Sequence, residues 1–293
     1  MGCCGWLMAT KNIRLEATKV SVRGNSIGEK DWRFIVDTGS NVSLMHHAHP
    51  EQLGGKAKII TFHNKTDPHH SGHDVPVSIQ TRPRNEDGKQ FVLKGMVSFV
   101  NLRRAIPSFP MSSRQGLIGT NLLWGRRVQV TRDKCMRILH RGCPLPPGFV
   151  EIEGVVPCVD LQKKDLGPLL TVRMAGSERV FLVDTGNLRS TFCVTKGLCG
   201  LKRKCGNVCT ATIALKDGQS VEAEGDVLDW QPQSLVNIPC GPNRKLRPSG
   251  NLGLDVWIGL FESTIFDFGP KGSMDHKIFC KLPNKKGRSR VSE

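Results

Sequence analysis

Apolar and polar positions alternate in short runs along most of this chain, and the runs come in pairs. Residues 13–23 alternate well enough for a strand, 24–29 carry turn chemistry, and 32–37 read as the returning strand. The same preface recurs later: 169–174 is a strand pattern, Ala175-Gly176-Ser177 a turn, and 179–184 the return. Further extended runs fall at 58–62, 75–79, 91–100, 127–132 and 264–268. Asp217-Gly218 is a hairpin signal between the extended runs 209–215 and 219–224. No long stretch sustains a helical period, so the pattern predicts a mostly β protein.

Both prefaces end on the same triplet. Residues 33–45 read R-F-I-V-D-T-G-S-N-V-S-L-M, and 180–192 read V-F-L-V-D-T-G-N-L-R-S-T-F. One Asp-Thr-Gly is a weak signal, but two copies, each closing an apolar strand, are a strong one. A strand ending in a carboxylate delivers that group to the floor of a site, and two such strands facing each other set Asp37 beside Asp184. Like charges that close cannot both ionise, so the pair shares a proton and offers an acid and a base together. Gly39 and Gly186 permit the sharp turn and close backbone approach, and Thr38 and Thr185 have the hydroxyls to hydrogen-bond across the pair.

At these residues the chain resembles the aspartic proteases, and most of all a retroviral-type (retropepsin-like) domain duplicated in tandem. The resemblance covers about residues 14–270. It implies a bilobal fold of two related β-barrel lobes with a cleft between them. It implies Asp37 and Asp184 as the catalytic dyad of an aspartic-type endopeptidase, a hydrolase that activates water and forms no covalent intermediate. It assigns Thr38 and Thr185 the cross-lobe hydrogen bonds, and Ser40 a hydrogen bond to the outer oxygen of Asp37. Asn187 stands where the family carries Ser, Thr or Ala; its amide can donate, but it is bulkier. Leu117-Ile118-Gly119 matches the strand that passes behind the first triplet, with Thr120 as cap of the helix that follows, and 251–257 repeats that unit around Gly253. Residues 64–72 lie where the family has its covering hairpin, and 202–209 where the second lobe would have one. The substrate would be an extended peptide or protein, no metal or organic cofactor is needed, and one chain, a monomer, supplies both half-sites.

Length and composition fit that organisation. The 293 residues suit one large or two ordinary domains, and 38% hydrophobic against 23% charged is ordinary globular composition. The 31 Gly and 17 Pro favour turns over long helices. The boundaries expected are a leader at 1–12, a first lobe at 13–140, a Pro- and Gly-dense linker at 141–148, a second lobe at 149–280 and a basic tail at 281–293. Residues 149–161 read as a strand of the second lobe or of a sheet shared beneath both.

The formal charge of +16 points to weak association with anionic partners, nucleic acid or a membrane surface, or simply to a soluble basic protein. No nucleic-acid module accompanies it, and the absence of Tyr argues against a base-stacking platform. The cysteine count of 11 is odd, and no signal peptide or apolar span is visible, so reduced thiols and a cytoplasmic location are expected. Gly2, Cys3 and Cys4 offer acylation sites for membrane attachment, although Trp6 departs from the myristoylation pattern. His46, His47, His49, His69, His70 and His73 match no zinc spacing, and Cys193, Cys199, Cys205 and Cys209 lack paired knuckles. Two readings of function stay open: an active endopeptidase, or a catalytically inactive fold of the same kind that binds extended peptides or a protein partner.

Overall fold

The computed structural model describes residues 14–283, except 24, 62–68, 83–89, 106–114, 135, 140, 157–167, 194–207, 229–237, 240–244, 247, 271–272 and 274. The leader with Gly2, Cys3 and Cys4, the tip expected for the covering hairpin, the basic run 202–204, Cys199 and Cys205 lie outside the described residues.

The first half runs through β1 (Arg14–Val22), β2 (Asn25–Val36), β3 (Leu44–His46), β4 (Lys56–Thr61), β5 (His69–Thr81), β6 (Val92–Val100), the one-turn helix α1 (Leu102–Ala105) and β7 (Gln115–Ile118). Then come β8 (Arg127–Thr131), β9 (Met136–Leu139), β10 (Phe149–Glu151) and β11 (Val155–Val156). The second half adds β12 (Leu169–Met174), β13 (Ser177–Val183), β14 (Thr191–Cys193), β15 (Val208–Ala214), β16 (Ser220–Leu228), β17 (Ile238–Pro239), β18 (Lys245–Leu246), β19 (Gly250–Leu252), β20 (Ser263–Asp267) and β21 (Lys277–Lys281).

The strands form two sheets of the same design. The first has the order β1-β2-β7-β3-β6-β5-β4 and closes on itself where β1 also pairs β5. The second has the order β11-β12-β13-β19-β14-β16-β15, with β12 meeting β15 at Arg173 and Thr212. Six strands therefore correspond one to one. The first half alone carries β4 among the described residues, and β11 lies on the opposite edge of the second sheet. This is a mostly β, bilobal, acid-protease-like architecture.

Period-2 patterning explains the sheets. Along β5, Val75, Val77, Ile79 and Thr81 are buried while the residues between them are more exposed, as alternate side chains of a strand must be. A third sheet, β10-β21-β20-β8-β9, joins the halves: β8 leaves the first, β20 leaves the second, and the two pair antiparallel from Arg127–Asp267 to Thr131–Ser263. The main core runs unbroken from Phe34 and Phe99 of the first half to Trp257, Phe266 and Phe268 of the second. Burying side chains of this size contributes about 1.5–3 kcal/mol each, which opposes separation of the halves.

Four expectations need correction. The turn at 24–29 is tighter, because β2 already begins at Asn25 and register shifts in β1 take up the slack. Residues 69–72 belong to β5, paired with 58–61 of β4, so the connection between these strands lies at 62–68. Thr120 does not cap a helix: it opens a single 3-10 turn, and its hydroxyl donates to the Ser40 carbonyl at 3.2 Å. Lys281 is not tail but the last residue of β21, with its amine on Glu262 at 2.7 Å. Of the stretch 149–161, residues 157–161 lie outside the described residues, and the rest divides between two sheets, β10 in the shared one and β11 in the second lobe.

Candidate active site

Each Asp-Thr-Gly triplet is delivered by the same two strands. In the first half β2 runs parallel to β7, Val36 opposite Ile118, and the Asp37 amide donates to the Ile118 carbonyl at 2.9 Å. In the second half β13 runs parallel to β19, Val183 opposite Leu252, and the Asp184 amide donates to the Leu252 carbonyl at 3.0 Å. Central parallel strands end where their side chains leave the sheet, so both carboxyls project from the same kind of position.

The two loops lock into each other through threonine. The Thr38 amide donates to the Thr185 hydroxyl and the Thr185 amide to the Thr38 hydroxyl, both at 3.1 Å. Each hydroxyl then donates onward across the interface: Thr38 to the Val183 carbonyl at 2.8 Å, Thr185 to the Val36 carbonyl at 2.9 Å. Both threonines are buried, so all four bonds form away from water, where leaving any one unmade is costly.

The glycines set the spacing. A Cβ on Gly39 would stand 2.7 Å from the Asp184 Cγ, and one on Gly186 would stand 2.6 Å from the Asp37 Oδ2. Each glycine thus lies flat against the carboxyl of the opposite half. Behind the loops, a Cβ on Gly119 would meet the Ser40 carbonyl oxygen at 2.7 Å, and one on Gly253 the Arg189 carbonyl oxygen at 2.7 Å.

The carboxyls lie within hydrogen-bonding reach of one another. Asp37 is buried, and burial first, then the neighbouring Asp184 charge, hold its pKa well above the ordinary 3.8; the Gly39 and Ser40 amides work against this. Asp184 is raised too, chiefly by burial, and is opposed by donors from Asp37, Asn251, Asn187 and Gly186. Such a pair gives up its first proton more readily than its second, and the two steps belong to the pair. A half-ionised dyad can accept a proton from water while donating one to a carbonyl oxygen.

Two assigned roles differ in detail. The Ser40 hydroxyl donates to the Val42 carbonyl at 2.8 Å and not to Asp37, because a local turn bond is closer to hand. Asn187 serves through its backbone, its amide meeting Asp184 Oδ1 at 3.2 Å. The histidines scatter. His46 is buried in β3 and accepts the Leu102 amide on Nδ1 at 3.2 Å, burial lowering its pKa, while His69, His70 and His73 spread along β5. Among the described residues no three His, Cys, Asp or Glu side chains form a metal-holding group.

Sequence reasoning missed a second matched pair. The Ser43 hydroxyl accepts the Gly119 amide and the Ser190 hydroxyl accepts the Gly253 amide, each at 2.9 Å. Ser43 donates to Asn121 Oδ1 and Ser190 to Asp255 Oδ1, each at 2.7 Å. Both serines stand six places after their aspartate, a register that aligning D-T-G-S-N-V-S with D-T-G-N-L-R-S reveals. Asn251 was missed as well: its Nδ2 donates to Asp184 Oδ2 at 3.1 Å.

No protein-family model matches this chain, and no curated protein matches its sequence. Among solved structures it is similar to basic 7S globulin from soybean, with a TM-score of 0.48 and 8% identity over 93% of this chain and 96% of that one.

Proposed function

We propose that the chain is an aspartic-type endopeptidase, of the retroviral type duplicated into one polypeptide. The observation that carries this reading is the meeting of Asp37 and Asp184 within hydrogen-bonding reach, held by the reciprocal Thr38 and Thr185 bonds. The retroviral-type assignment rests on the six corresponding strands and on the extended β4–β5 arm, which we take as the cover of the site.

In this reading, an extended peptide lies between that arm and the dyad, held by backbone hydrogen bonds. The charged carboxyl takes a proton from a water molecule as its oxygen adds to the scissile carbonyl carbon. The protonated carboxyl gives its proton to the carbonyl oxygen, leaving a neutral gem-diol. The first carboxyl then passes its proton to the amide nitrogen as the C–N bond breaks. A gem-diol hydroxyl returns its proton to the second carboxyl, which restores the starting state. Both half-sites come from one chain and share the β8–β20 sheet, so the active species is a monomer.

The test is cleavage of a mixed peptide library between acidic and neutral pH, with Asp37→Asn as control. Sequence-dependent cleavage that the variant lacks supports the reading, and equal turnover by both proteins overturns it. A second reading, an inactive fold that binds extended peptides, is favoured by the Ser40 hydroxyl turning away from Asp37 and by Asn187 at its position. It predicts that such peptides bind intact.

A further inference from the structure

The halves share the threonine and serine bonds around the dyad, but they differ in what the strand behind each triplet offers its aspartate. On β19, Asn251 lies opposite Leu182 in the register that sets Leu252 opposite Val183. In the same register on β7, Leu117 lies opposite Ile35 and Ile118 opposite Val36. Asn251 is thus the counterpart of Leu117. The strand on the other side changes with it: β14 sets Thr191 opposite Asn251, whereas β3 sets Leu44 opposite Leu117. An apolar Leu44–Leu117 pair, packed with Ile35 and Ile60, stands in the first half. A polar Thr191–Asn251 pair replaces it in the second.

The orientation of the Asn251 amide follows from its partners. One atom of its head is 3.0 Å from the Thr191 backbone nitrogen, which can only donate, so that atom is the carbonyl oxygen. The Thr191 hydroxyl donates to the same oxygen. The other atom is therefore the NH2 group, and it faces Asp184 Oδ2 at 3.1 Å. Asn251 is buried, so Thr191 holds a donor on Asp184 where water does not compete. Asp184 Oδ1 already receives the Gly186 and Asn187 amides, whereas Leu117 offers Asp37 nothing equivalent.

Resting on the endopeptidase reading, we propose that Asn251 is a positioning residue that makes the dyad asymmetric: Asp184 carries the charge and acts as base, and Asp37 carries the proton and acts as acid. A donor-only group favours a carboxylate over a carboxylic acid. Nearby titratable groups include Asp255, held by Ser190, and Arg189, which faces Asp226 at 3.8 Å; β13 also carries Glu178 and Arg179, and β16 carries Glu222 and Glu224. None of them is among the main influences on either dyad carboxyl.

The test is a carboxyl carbon NMR titration of the full chain, with Asp37→Asn and Asp184→Asn assigning the two signals. In the parent protein the Asp184 signal follows the first ionisation and the Asp37 signal the second. The double variant Asn251→Leu with Thr191→Leu rebuilds the apolar pair of the first half and removes the Thr191 hydroxyl together with the oxygen that accepts it. It is expected to raise the first ionisation by about 1 pH unit. The mirror variant Leu117→Asn with Leu44→Thr gives Asp37 a donor and is expected to lower the second step. A first step that stays put in the former, or one that the Asp37 signal follows in the parent, overturns the proposal. The titration needs no turnover, so a protein that cleaves nothing defeats the endopeptidase reading and leaves the asymmetry to be decided by the spectra.

Discussion

Thr38 and Thr185 are each both donor and acceptor to the other's loop, amide to hydroxyl at 3.1 Å in either direction. Replacing either with Val keeps the shape and removes one hydroxyl. Thr38→Val strands the Thr185 amide and the Val183 carbonyl in a buried interface. Two buried groups left unsatisfied cost about 2–4 kcal/mol together. Urea denaturation is expected to show that loss for Thr38→Val and for Thr185→Val. Serine at either position keeps the hydroxyl and is expected to restore most of it. A Val variant as stable as the parent would mean that these bonds do not hold the halves together.

Gly39→Ala and Gly186→Ala test spacing at the dyad itself. The new methyl group would collide with the carboxyl of the opposite half, which has to move. Displacing a reacting group by about 1 Å costs roughly 10²-fold in rate. If the chain is an endopeptidase, kcat/KM is expected to fall by at least that much while the circular dichroism spectrum stays that of a β protein. Retained cleavage would show that the two carboxyls need not meet.

The architecture was legible wherever neighbours in sequence carry the signal. Alternation marked β1, extended runs marked β6, β12 and β20, and the repeated triplet marked the strand ends that bring Asp37 to Asp184. What stayed hidden depends on distant side chains. Ser43 reaches Asn121, Ser190 reaches Asp255 and Asn251 reaches Asp184 only after the strands have paired, and no local pattern encodes such bonds. Short polar side chains also have competing local partners, which is why Ser40 and Thr120 differ from the roles their positions suggested. Residues 69–72 looked like a turn because they are polar. They are strand because β4 pairs with all four, and β6 reaches Gly72.

The joint between the halves rests on one buried acid. Asp267 of β20 receives Arg127 Nε at 2.7 Å and Arg141 Nε at 2.6 Å. Arg127 also donates to the Cys143 carbonyl at 2.6 Å, and Arg141 to Asp275 at 2.9 Å, so the segment after β9 is tied to the second half. Asp267→Ala leaves the partly buried Arg127 guanidinium with the Cys143 carbonyl as its acceptor and no carboxylate, and leaves Arg141 with Asp275 alone. A loss of about 3 kcal/mol in chemical denaturation is expected. The Lys216–Glu151 pair at 2.8 Å, whose lysine is exposed, is the comparison: Lys216→Ala should change stability by less than about 1 kcal/mol. Equal effects from the two variants would remove Asp267 from the joint.

The dyad also makes stability depend on pH, with a sign opposite to that of most carboxylates. Asp37 is held protonated by burial and by the Asp184 charge, so its ionisation lies well above the 3.8 of a free aspartate. Below that ordinary value both the folded and unfolded chains carry the proton, and the site imposes no penalty. As pH rises above it, the unfolded chain releases a proton that the folded chain retains. The contribution of this group to stability therefore falls with rising pH until the folded dyad also ionises. Asn at position 37 is a permanent mimic of the protonated acid: its amide can donate to Asp184 and its carbonyl can accept the Gly39 amide, which now reaches Asp37 Oδ1 at 2.9 Å. Asp37→Asn should thus melt higher than the parent at pH 7, by a margin that closes as pH approaches 3.5; if the chain is an endopeptidase, the same variant cleaves no peptide at any pH. Melting curves for both proteins across that range decide the matter. A margin that is absent at pH 7, or that widens toward acid, would mean that Asp37 is charged in the folded protein and that the two carboxyls do not share a proton.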